Sequence, residues 1–386
     1  MAELSKSKIK IPVSEPRFWG SEKKYVQDCM DTNWVSSMGK YVTEFEEKFK
    51  SFAGCKYSTS CINGTAAIHL ALMALGIKEG DEVIIPSFTI ICTANTVILQ
   101  GAKPVLVDVE KDTMCINPKL IEEKITSRTR AIMVVHMYGH PAKMDEIQAI
   151  AKKHKIAIIE DCCESHGAEF KGKRTGCLSD IAVFSFYSNK IIVTGEGGML
   201  TSNNKELIDK AALYKNQAFT KTRFLHDEIG FNYRMTNLHA AIGVAQMEHA
   251  DKIVEEKRKL AKKYIEKLKK VAKYCQLPYE AEWAKSVFWM IGIVLKDNVC
   301  KSKEQVMQEL LDKYGIDTRS FFFSMHQQPV YKNGSKMYKS VPDTKGQYPV
   351  SEWLSNRGFY LPSSMSLTDE QMDYVVDSLK EVLESK

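Results

Sequence analysis

The 386-residue chain has no apolar run that approaches the roughly 20 residues a membrane-spanning helix needs. Its first residues, MAELSKSKIKIPVSEPRF, also lack the apolar core of a secretory signal peptide. Neither internal repeats nor low-complexity linkers interrupt the sequence. We therefore expect a globular protein of the cytoplasm, with no membrane partner and with cysteine thiols that stay reduced.

The cysteines and the charges exclude two further classes of protein. None of the ten cysteines forms a CxxC pair, so no metal site is expected. The formal net charge is only +6, and the densest basic stretch, residues 252–270, interleaves glutamates with lysines at helical spacing. No aromatic stripe accompanies the lysines, so we predict an amphipathic helix and no nucleic-acid partner.

Short apolar segments alternate with helical patterns from about residue 60 onward. NGTAAIHLALMALG and MDEIQAIAKKH are typical of helices, and five apolar segments between residues 82 and 186 are typical of buried strands: EVIIP, PVLVDV, RAIMVVH, IAIIED and IAVFSF. Uninterrupted apolar strands separated by helices predict an α/β fold whose sheet is mostly parallel and covered on both faces.

The chain is longer than one hydrophobic core usually organises, and its pattern changes near residue 250. The basic helix comes first, followed by SVFWMIGIVL and two more helical patterns, KEQVMQELLDKYG and TDEQMDYVVDSLKEVL. We predict a large domain over residues 1–250 and a smaller C-terminal α+β domain over residues 251–386. The N-terminal segment could pack on the smaller domain.

Polar side chains follow the predicted strands at the points where the strands end. Asp161 and Glu164 follow IAIIE, and Lys190 follows IAVFSF. Gly64-Thr65 stand at the start of the first helix of this region, before all five strands. Ligands of parallel α/β sheets bind beyond the carboxyl ends of the strands, so these groups are expected to converge on one site.

Each of these groups also has an ordinary structural explanation. Asp161 alone could cap a helix, Lys190 could be a surface lysine, and residues 194–198 (TGEGG) could form a simple hairpin turn. Asn63-Gly64-Thr65 could be an ordinary helix start. Taken together, however, the groups meet one chemical requirement, and the separate explanations do not account for their occurrence as a set.

That requirement is the binding of pyridoxal phosphate. Its aldehyde needs a lysine amine, and its ring nitrogen needs a carboxylate to remain protonated. Its phosphate fits a helix N-terminus where glycine permits close approach, and a flat side chain should cover the ring. Lys190, Asp161, Gly64-Thr65 and the segment Phe88–Ile90 can supply these four contacts.

Two segments, IIEDCCESHGAEFKGKRTG and FSFYSNKIIVTGEGGML, resemble the DegT group of sugar-nucleotide aminotransferases, which are fold-type I pyridoxal-phosphate enzymes. CINGTAAIHLALMALGIKEGDEVIIPSFT, GFNYRMTNLHAAIG and LPSSMSLTDEQ are similar to the same family, so the resemblance runs from about residue 12 to the end. It implies a fold-type I transferase: a large domain with a mixed, mostly parallel sheet flanked by helices, and a smaller α+β domain.

The resemblance assigns roles to residues around the cofactor ring. Lys190 would bond to the aldehyde and then carry protons as the catalytic residue, while Asp161 would pair with the pyridine nitrogen. Glu164 would lie near the ring. The family often has an aromatic residue at the position of Ile90, so either Ile90 or Phe88 would cover the ring here.

The resemblance also implies how the phosphate is held. Ser185 and the backbone of Gly64 and Thr65 would bind it within one subunit. Asn232, in GFNYR, would reach the phosphate bound by the neighbouring subunit. The implied assembly is therefore a homodimer with shared active sites.

The implied reaction moves the amino group of L-glutamate to C4 of a nucleotide-linked 4-keto-6-deoxyhexose. NWVSSMGKYVTEFE, MYGHPAKMDEI and TRSFFFSMHQQPVY are most similar to members that use a GDP-linked 4-keto-6-deoxymannose, although a dTDP- or UDP-linked 4-keto-6-deoxyglucose stays open. The candidate substrate-binding residues are Trp34, Ser36, Tyr187, Arg319 and His326. Packing, an ion pair or a satisfied loop histidine would be the ordinary explanations for Trp34, Arg319 and His326.

Two other functions exist on this fold, a sugar dehydratase and a non-catalytic regulator. The dehydratases typically carry histidine in place of the cofactor-bonded lysine, and a regulator could lose the lysine or the aspartate. The chain retains both Lys190 and Asp161, which favours amino transfer.

Overall fold

The computed structural model describes residues 10–222, 224–335 and 337–385. The helices of these residues are α1 Glu22–Asp31, α2 Lys40–Ala53, α3 Gly64–Ala74, α4 Cys92–Leu99, α5 Met144–His154, α6 Lys205–Lys215, α7 Asn237–Met247, α8 Ala250–Leu268, α9 Lys303–Tyr314, α10 Pro329–Lys332, α11 Pro349–Arg357 and α12 Asp369–Glu384. The strands are β1 Tyr57–Cys61, β2 Glu82–Pro86, β3 Lys103–Val107, β4 Thr129–Val135, β5 Ala157–Asp161, β6 Glu169–Phe170, β7 Lys173–Arg174, β8 Ile181–Ser185, β9 Gly198–Ser202, β10 Cys275–Gln276, β11 Ala284–Lys285, β12 Ile291–Leu295, β13 Arg319–Ser320 and β14 Gly358–Leu361. Among these residues, no helix combines the length and the apolar character that crossing a membrane requires.

The central sheet has seven strands in the order β1-β9-β8-β5-β4-β2-β3. The five strands from β8 to β3 run parallel to one another, while β9 is antiparallel to both β8 and β1. The predicted mixed, mostly parallel sheet is confirmed, and all five predicted strands belong to it. Strands β1 and β9 were not predicted.

Helices cover both faces of this sheet, and the alternation of side chains along each strand explains how. Ile158 and Phe184 belong to the hydrophobic cluster that includes α2 and α5, whereas Ile159 and Val183 belong to the cluster that includes α3, α4 and α6. Successive strand residues point to opposite faces, so each strand must be apolar throughout. The carboxyl ends of β4, β5 and β8 consequently meet at one edge, next to the N-terminus of α3.

A second, antiparallel sheet has the strand order β10-β12-β14-β13. Its side chains Ile291, Ile293 and Leu295 pack with α8, α9 and α12 in a third hydrophobic cluster. An α+β domain was predicted here, but β10 and β13 were not, because they are only two residues long and leave little periodicity to detect.

The basic helix predicted at 252–270 is α8, which is followed by a short 3-10 turn at 269–271. The apolar face of α8 is buried, and lysines of the helix and of the turn contact carboxylates of α12. Lys267 Nζ lies 2.6 Å from Asp373, and Lys270 Nζ, in the turn, lies 2.8 Å from Asp377. The basic stripe thus contacts an acidic helix of the same chain.

Candidate active site

A cavity of about 370 Å³ opens at the carboxyl ends of β4, β5 and β8, which is the edge that the sequence indicated. This volume lies in the range of roughly 300–1,000 Å³ that is typical of small-molecule sites. The lining residues are Asn63, Gly64, Thr65, Ile90, Cys92, Val135, Asp161, Cys163, Glu164, Ser185, Tyr187, Asn189, Lys190, Glu196, Trp289, Phe322 and Tyr360.

Asp161 is the last residue of β5 and is 3% exposed. Its Oδ1 accepts a hydrogen bond from the backbone N–H of Cys163 at 3.0 Å. The backbone N–H of Ser165 donates to Cys162 O at 3.0 Å, which closes the turn after the strand. This turn fixes a buried carboxylate on the cavity wall.

Glu164 is carried into the cavity by the same turn and is also buried. Its Oε2 accepts the backbone N–H of Tyr138 at 2.7 Å. Burial raises the pKa of Glu164 to about 7, although the positive charge of Lys190 and the Tyr138 N–H oppose the rise. A carboxyl group whose pKa lies near neutral pH therefore lines the same cavity as Asp161.

The N-terminus of α3 forms another part of the wall. Asn63 caps the helix, since its side chain accepts the N–H of Ala66 at 2.9 Å. A Cβ on Gly64 would lie 2.8 Å from Ser185 Cβ and 3.1 Å from Cys163 Sγ, so only glycine lets the helix approach β8 this closely. The first N–H groups of a helix attract anions, and the Ser185 hydroxyl group lies beside them.

Lys190 follows β8 in a turn in which its backbone N–H donates to Tyr187 O at 2.9 Å. Its Nζ lies 3.8 Å from the ring centroid of Trp289, and both residues line the cavity. The cavity thus contains a lysine amine, a buried aspartate and a glycine-bearing helix N-terminus.

The structure separates the two residues that were predicted to cover a cofactor ring. Ile90 lines the cavity and is 42% exposed. Phe88 is fully buried and is not among the lining residues, because it packs on Tyr138, Phe321 and Phe322. Of the two, Ile90 is therefore the one in position to contact a ligand.

Of the five predicted substrate-binding residues, only Tyr187 lines the cavity. Trp34 and Ser36 lie in the exposed loop between α1 and α2, where Ser36 O accepts the N–H of Asn237 at 2.6 Å. Arg319, whose guanidinium group lies 3.6 Å from Asp317, is paired across strands with the cavity residue Tyr360.

His326 is buried away from the cavity. It contacts the Ser87 hydroxyl group at 2.9 Å and Glu352 at 3.0 Å, which is the arrangement of a satisfied loop histidine. Asn232 is exposed and also does not line the cavity of its own chain. Its predicted reach toward a neighbouring subunit stays a prediction.

Sequence reasoning missed several lining residues, chiefly Trp289, Phe322 and Tyr360. These aromatic residues come from the later third of the chain and line the cavity. Cys163 and Glu196 lie inside the motifs that were singled out, so their proximity to Asp161 and to the glycine-rich turn could have identified them. No local pattern marks the three aromatic residues.

The profile of the DegT/DnrJ/EryC1/StrS aminotransferase family matches residues 18–380, and the chain belongs to this family. It is 42% identical over 377 residues to the GDP-perosamine synthase of Escherichia coli O157:H7, covering 97% of this chain and 99% of that protein. It is 41% identical over 375 residues to the GDP-perosamine synthase of Caulobacter vibrioides, covering 97% and 98%.

Among solved structures, DesV of S. venezuelae, determined with a ketimine intermediate, superposes with a TM-score of 0.86. It is 28% identical and covers 97% of this chain and 100% of that chain. The expected fold class is confirmed: the chain has the fold of the pyridoxal-phosphate aminotransferases.

The chain is a pyridoxal-phosphate-dependent aminotransferase, and the lining residues fit this cofactor. Because residue 64 is glycine, the start of α3 approaches Ser185 closely, and the helix N-terminus and the Ser185 hydroxyl group line the same cavity, where both can donate to an anion. The buried carboxylate and the lysine amine supply the other two contacts that the cofactor needs.

Proposed function

We propose that the enzyme transfers the amino group of L-glutamate to C4 of a GDP-linked 4-keto-6-deoxymannose. The observation that carries the proposal is the similarity, over nearly the full length of both chains, to two proteins named GDP-perosamine synthase. The cavity supports the chemistry, because Lys190 and Asp161 meet there at the ends of adjacent strands.

The roles of the residues follow from their positions. When bound, pyridoxal phosphate carries the amino group and stabilises negative charge on the neighbouring carbon. Lys190 would hold the aldehyde end and, once released, would move a proton at its Nζ. Asp161 would keep the proton on the ring nitrogen, and Glu164 lines the same cavity. Ile90 would be the side chain that covers the ring.

The phosphate would bind at the start of α3. The first N–H groups of the helix, at Gly64 and Thr65, and the Ser185 hydroxyl group are the donors on this chain. We propose that Asn232 of a second copy completes this site. The enzyme would then be a homodimer with shared active sites.

Two observations support a second copy. Lys190 is the single cation among the described lining residues, which include the carboxylates of Asp161, Glu164 and Glu196. Glutamate and a nucleotide diphosphate are anions, so cations from outside this set must help to bind them.

The second observation is an exposed apolar surface near Asn232. Trp34 is 55% exposed and Met38 is 71% exposed in one loop, and Ile229 is 82% exposed in another. Arg234 ties the two loops together through hydrogen bonds to Ser37 at 3.1 Å and to Asn216 at 2.8 Å. Exposed apolar patches of this kind mark protein interfaces.

We also propose that the chain divides into domains at residues 1–250 and 251–386. The third hydrophobic cluster supports the division, because all of its buried members except Ile11 lie at residue 261 or later. The Lys10 and Ile11 N–H groups donate to Gly315 O, in line with a first segment that packs on the smaller domain.

The decisive experiment offers glutamate with GDP-linked and dTDP-linked 4-keto-6-deoxy sugars and follows amine formation by mass spectrometry. We expect the GDP sugar to be aminated, and the Lys190→Ala variant to fold and to form no amine. Amination of the dTDP sugar alone would reassign the substrate. Normal turnover by Lys190→Ala would overturn the mechanism.

The shared site is tested by co-expressing the Lys190→Ala and Asn232→Ala variants, each nearly inactive alone. A mixed dimer regains one site with both residues intact, so the mixture should recover about a quarter of wild-type activity. Activity no higher than that of the separate variants would show that Asn232 acts within its own chain or not at all.

A further inference from the structure

Trp289 is held in a single orientation by three contacts. It is 4% exposed, and its backbone N–H donates to Tyr138 O at 2.9 Å. Its indole N–H donates to Asn189 O at 2.6 Å. The indole ring lies at 18° to the Tyr138 ring, with centroids 6.1 Å apart. A residue whose backbone, ring face and ring N–H are each held by a contact is suited to position a neighbouring side chain.

That neighbour is Lys190. Its Nζ lies over the Trp289 ring at 3.8 Å from the centroid, well inside the roughly 6 Å limit of a cation–π contact. The carbonyl group that accepts the indole N–H belongs to Asn189, the residue directly before Lys190. Trp289 therefore contacts the lysine at both ends, through the amine and through the adjoining backbone.

The charge state explains why a ring face is useful here. In each half of the reaction the lysine takes a proton from one carbon atom, so that its Nζ becomes an ammonium group, and it becomes neutral again when it delivers that proton to a second carbon atom. An aromatic face favours the ammonium form without pairing with it as a carboxylate would. Asp161 and Glu164, the nearby acids, have hydrogen bonds of their own to backbone N–H groups.

We propose that Trp289 is a positioning residue for Lys190: its ring face holds the amine while the lysine carries a proton, and its indole N–H fixes the backbone before the lysine. This inference rests on the proposed function, because it requires Lys190 to be the proton carrier. The ring acts through Lys190 and needs no contact with the reacting carbon.

The test measures the reactivity of the lysine amine directly. The full-length enzyme, loaded with pyridoxamine phosphate so that the lysine is free, is treated briefly with acetic anhydride, and acetylation of Lys190 is followed by peptide mass spectrometry. Trp289→Leu removes the ring face that covers the amine and holds it in place, so acetylation of Lys190 should become about threefold to tenfold faster. Trp289→Phe keeps a ring face and should stay within about twofold of wild type.

Trp353 provides a matched control, because Lys111 Nζ lies 4.4 Å from its ring centroid and neither residue lines the cavity. Trp353→Leu should leave the acetylation rate of Lys190 unchanged. If Trp289→Leu does not fold, all five tryptophans of the chain can be replaced with fluorinated tryptophan. This replacement keeps the shape of the side chain and its N–H but weakens the attraction of the ring face for a cation. The acetylation rate of Lys190 should then rise with the number of fluorine atoms.

Equal acetylation rates in wild type, Trp289→Leu and the fluorinated protein would overturn the inference alone. The proposed function is checked separately, by borohydride reduction of wild type loaded with pyridoxal phosphate and by locating the modified lysine. Modification of a lysine other than Lys190 would overturn the proposed function, and this inference with it. Slower glutamate-dependent conversion in Trp289→Leu that Trp289→Phe restores only in part, at an unchanged KM, would support the positioning role, because phenylalanine keeps the ring face but not the N–H that bonds Asn189.

Discussion

Glu160 and Asp161 are adjacent residues of β5, both buried, yet they have opposite surroundings. Glu160 points to the face of the sheet covered by α2 and α5, where its Oε1 accepts the N–H of Gly176 at 3.0 Å and contacts His136 Nε2 at 3.0 Å. Its Oε2 accepts the N–H of Leu178 and the hydroxyl group of Ser179, both at 2.8 Å. Asp161 points into the cavity and accepts one backbone N–H.

The difference shows how a structural acid can be told from one that is available to a ligand. Buried polar groups must be hydrogen-bonded, and Glu160 satisfies this requirement entirely within the chain. His136, its neighbour, is also saturated, since its Nδ1 accepts the N–H of Ala142 at 3.0 Å. The cluster of His136, Glu160 and Cys162 is therefore part of the core, although its side chains are types that bind metals.

Removing the structural acid should have the largest effect. Glu160→Ala leaves four hydrogen-bonding groups in the core without their acceptor, and breaking a buried network of this kind costs about 3–5 kcal/mol. We expect the free energy of unfolding, measured by urea titration, to fall by that amount. Ser179→Ala, which removes one partner, should cost only about 1 kcal/mol. Equal losses in the two variants would contradict this interpretation of Glu160.

Changing the neighbouring acid should affect catalysis instead of stability. Asp161→Asn keeps an oxygen to accept the Cys163 N–H, so the unfolding midpoint should hardly move. The negative charge toward the cavity is lost, and removing one such electrostatic contact costs about 10²–10³-fold in turnover. Steady-state rates with glutamate and a thermal melt of the same sample measure both quantities. A variant that melts early but turns over normally would reverse the comparison.

These two acids also show what the sequence could and could not predict. The residues after the strands converge because parallel strands end at one edge of a sheet, so Asp161, Glu164 and Lys190 were found from the pattern alone. The structural role of Glu160 was not predicted, because its hydrogen-bond partners Gly176, Leu178 and Ser179 lie in a loop with no distinctive sequence pattern.

Two further residues mark the limits of local reasoning. Phe88 and Ile90 would share a face if the chain stayed extended, but the chain bends after Pro86 and sends Phe88 into the core. Trp289 reaches the cavity through its backbone bond to Tyr138, about 150 residues away in the chain. Such placement depends on how the two sheets pack together, which one sequence does not reveal.

Glu164 is intermediate between the two acids, because it is buried like Glu160 but lies in the cavity like Asp161. Its pKa is raised by burial from the ordinary 4.5 to about 7, so the folded protein favours the protonated form. The stability contributed by that form is complete below about pH 4.5, declines as the pH rises, and is lost above about pH 7.

Glu164→Gln replaces the titrating group with a permanently neutral amide that can still accept the Tyr138 N–H. The stability of the cofactor-free variant relative to wild type should therefore increase by up to roughly 3 kcal/mol between about pH 5 and about pH 8. Urea titrations across this range measure the difference. A constant difference at all pH values would mean that Glu164 is already ionised in the acid range.

The smallest expected effect tests the phosphate end of the same cavity. In Gly64→Ala the new methyl group would lie 2.8 Å from Ser185 Cβ, so α3 and β8 must move apart. Overpacking of this kind lowers the free energy of unfolding by about 1–3 kcal/mol. The movement would also turn the helix N–H groups away from the phosphate, so the affinity for pyridoxamine phosphate should fall about tenfold. Equilibrium dialysis measures the affinity without requiring turnover. Alanine is a better helix former than glycine, so the substitution should not unwind α3. A loss of affinity without a loss of helix content would therefore place the defect at the contact with Ser185. Undiminished affinity would show that the start of α3 does not bind the phosphate.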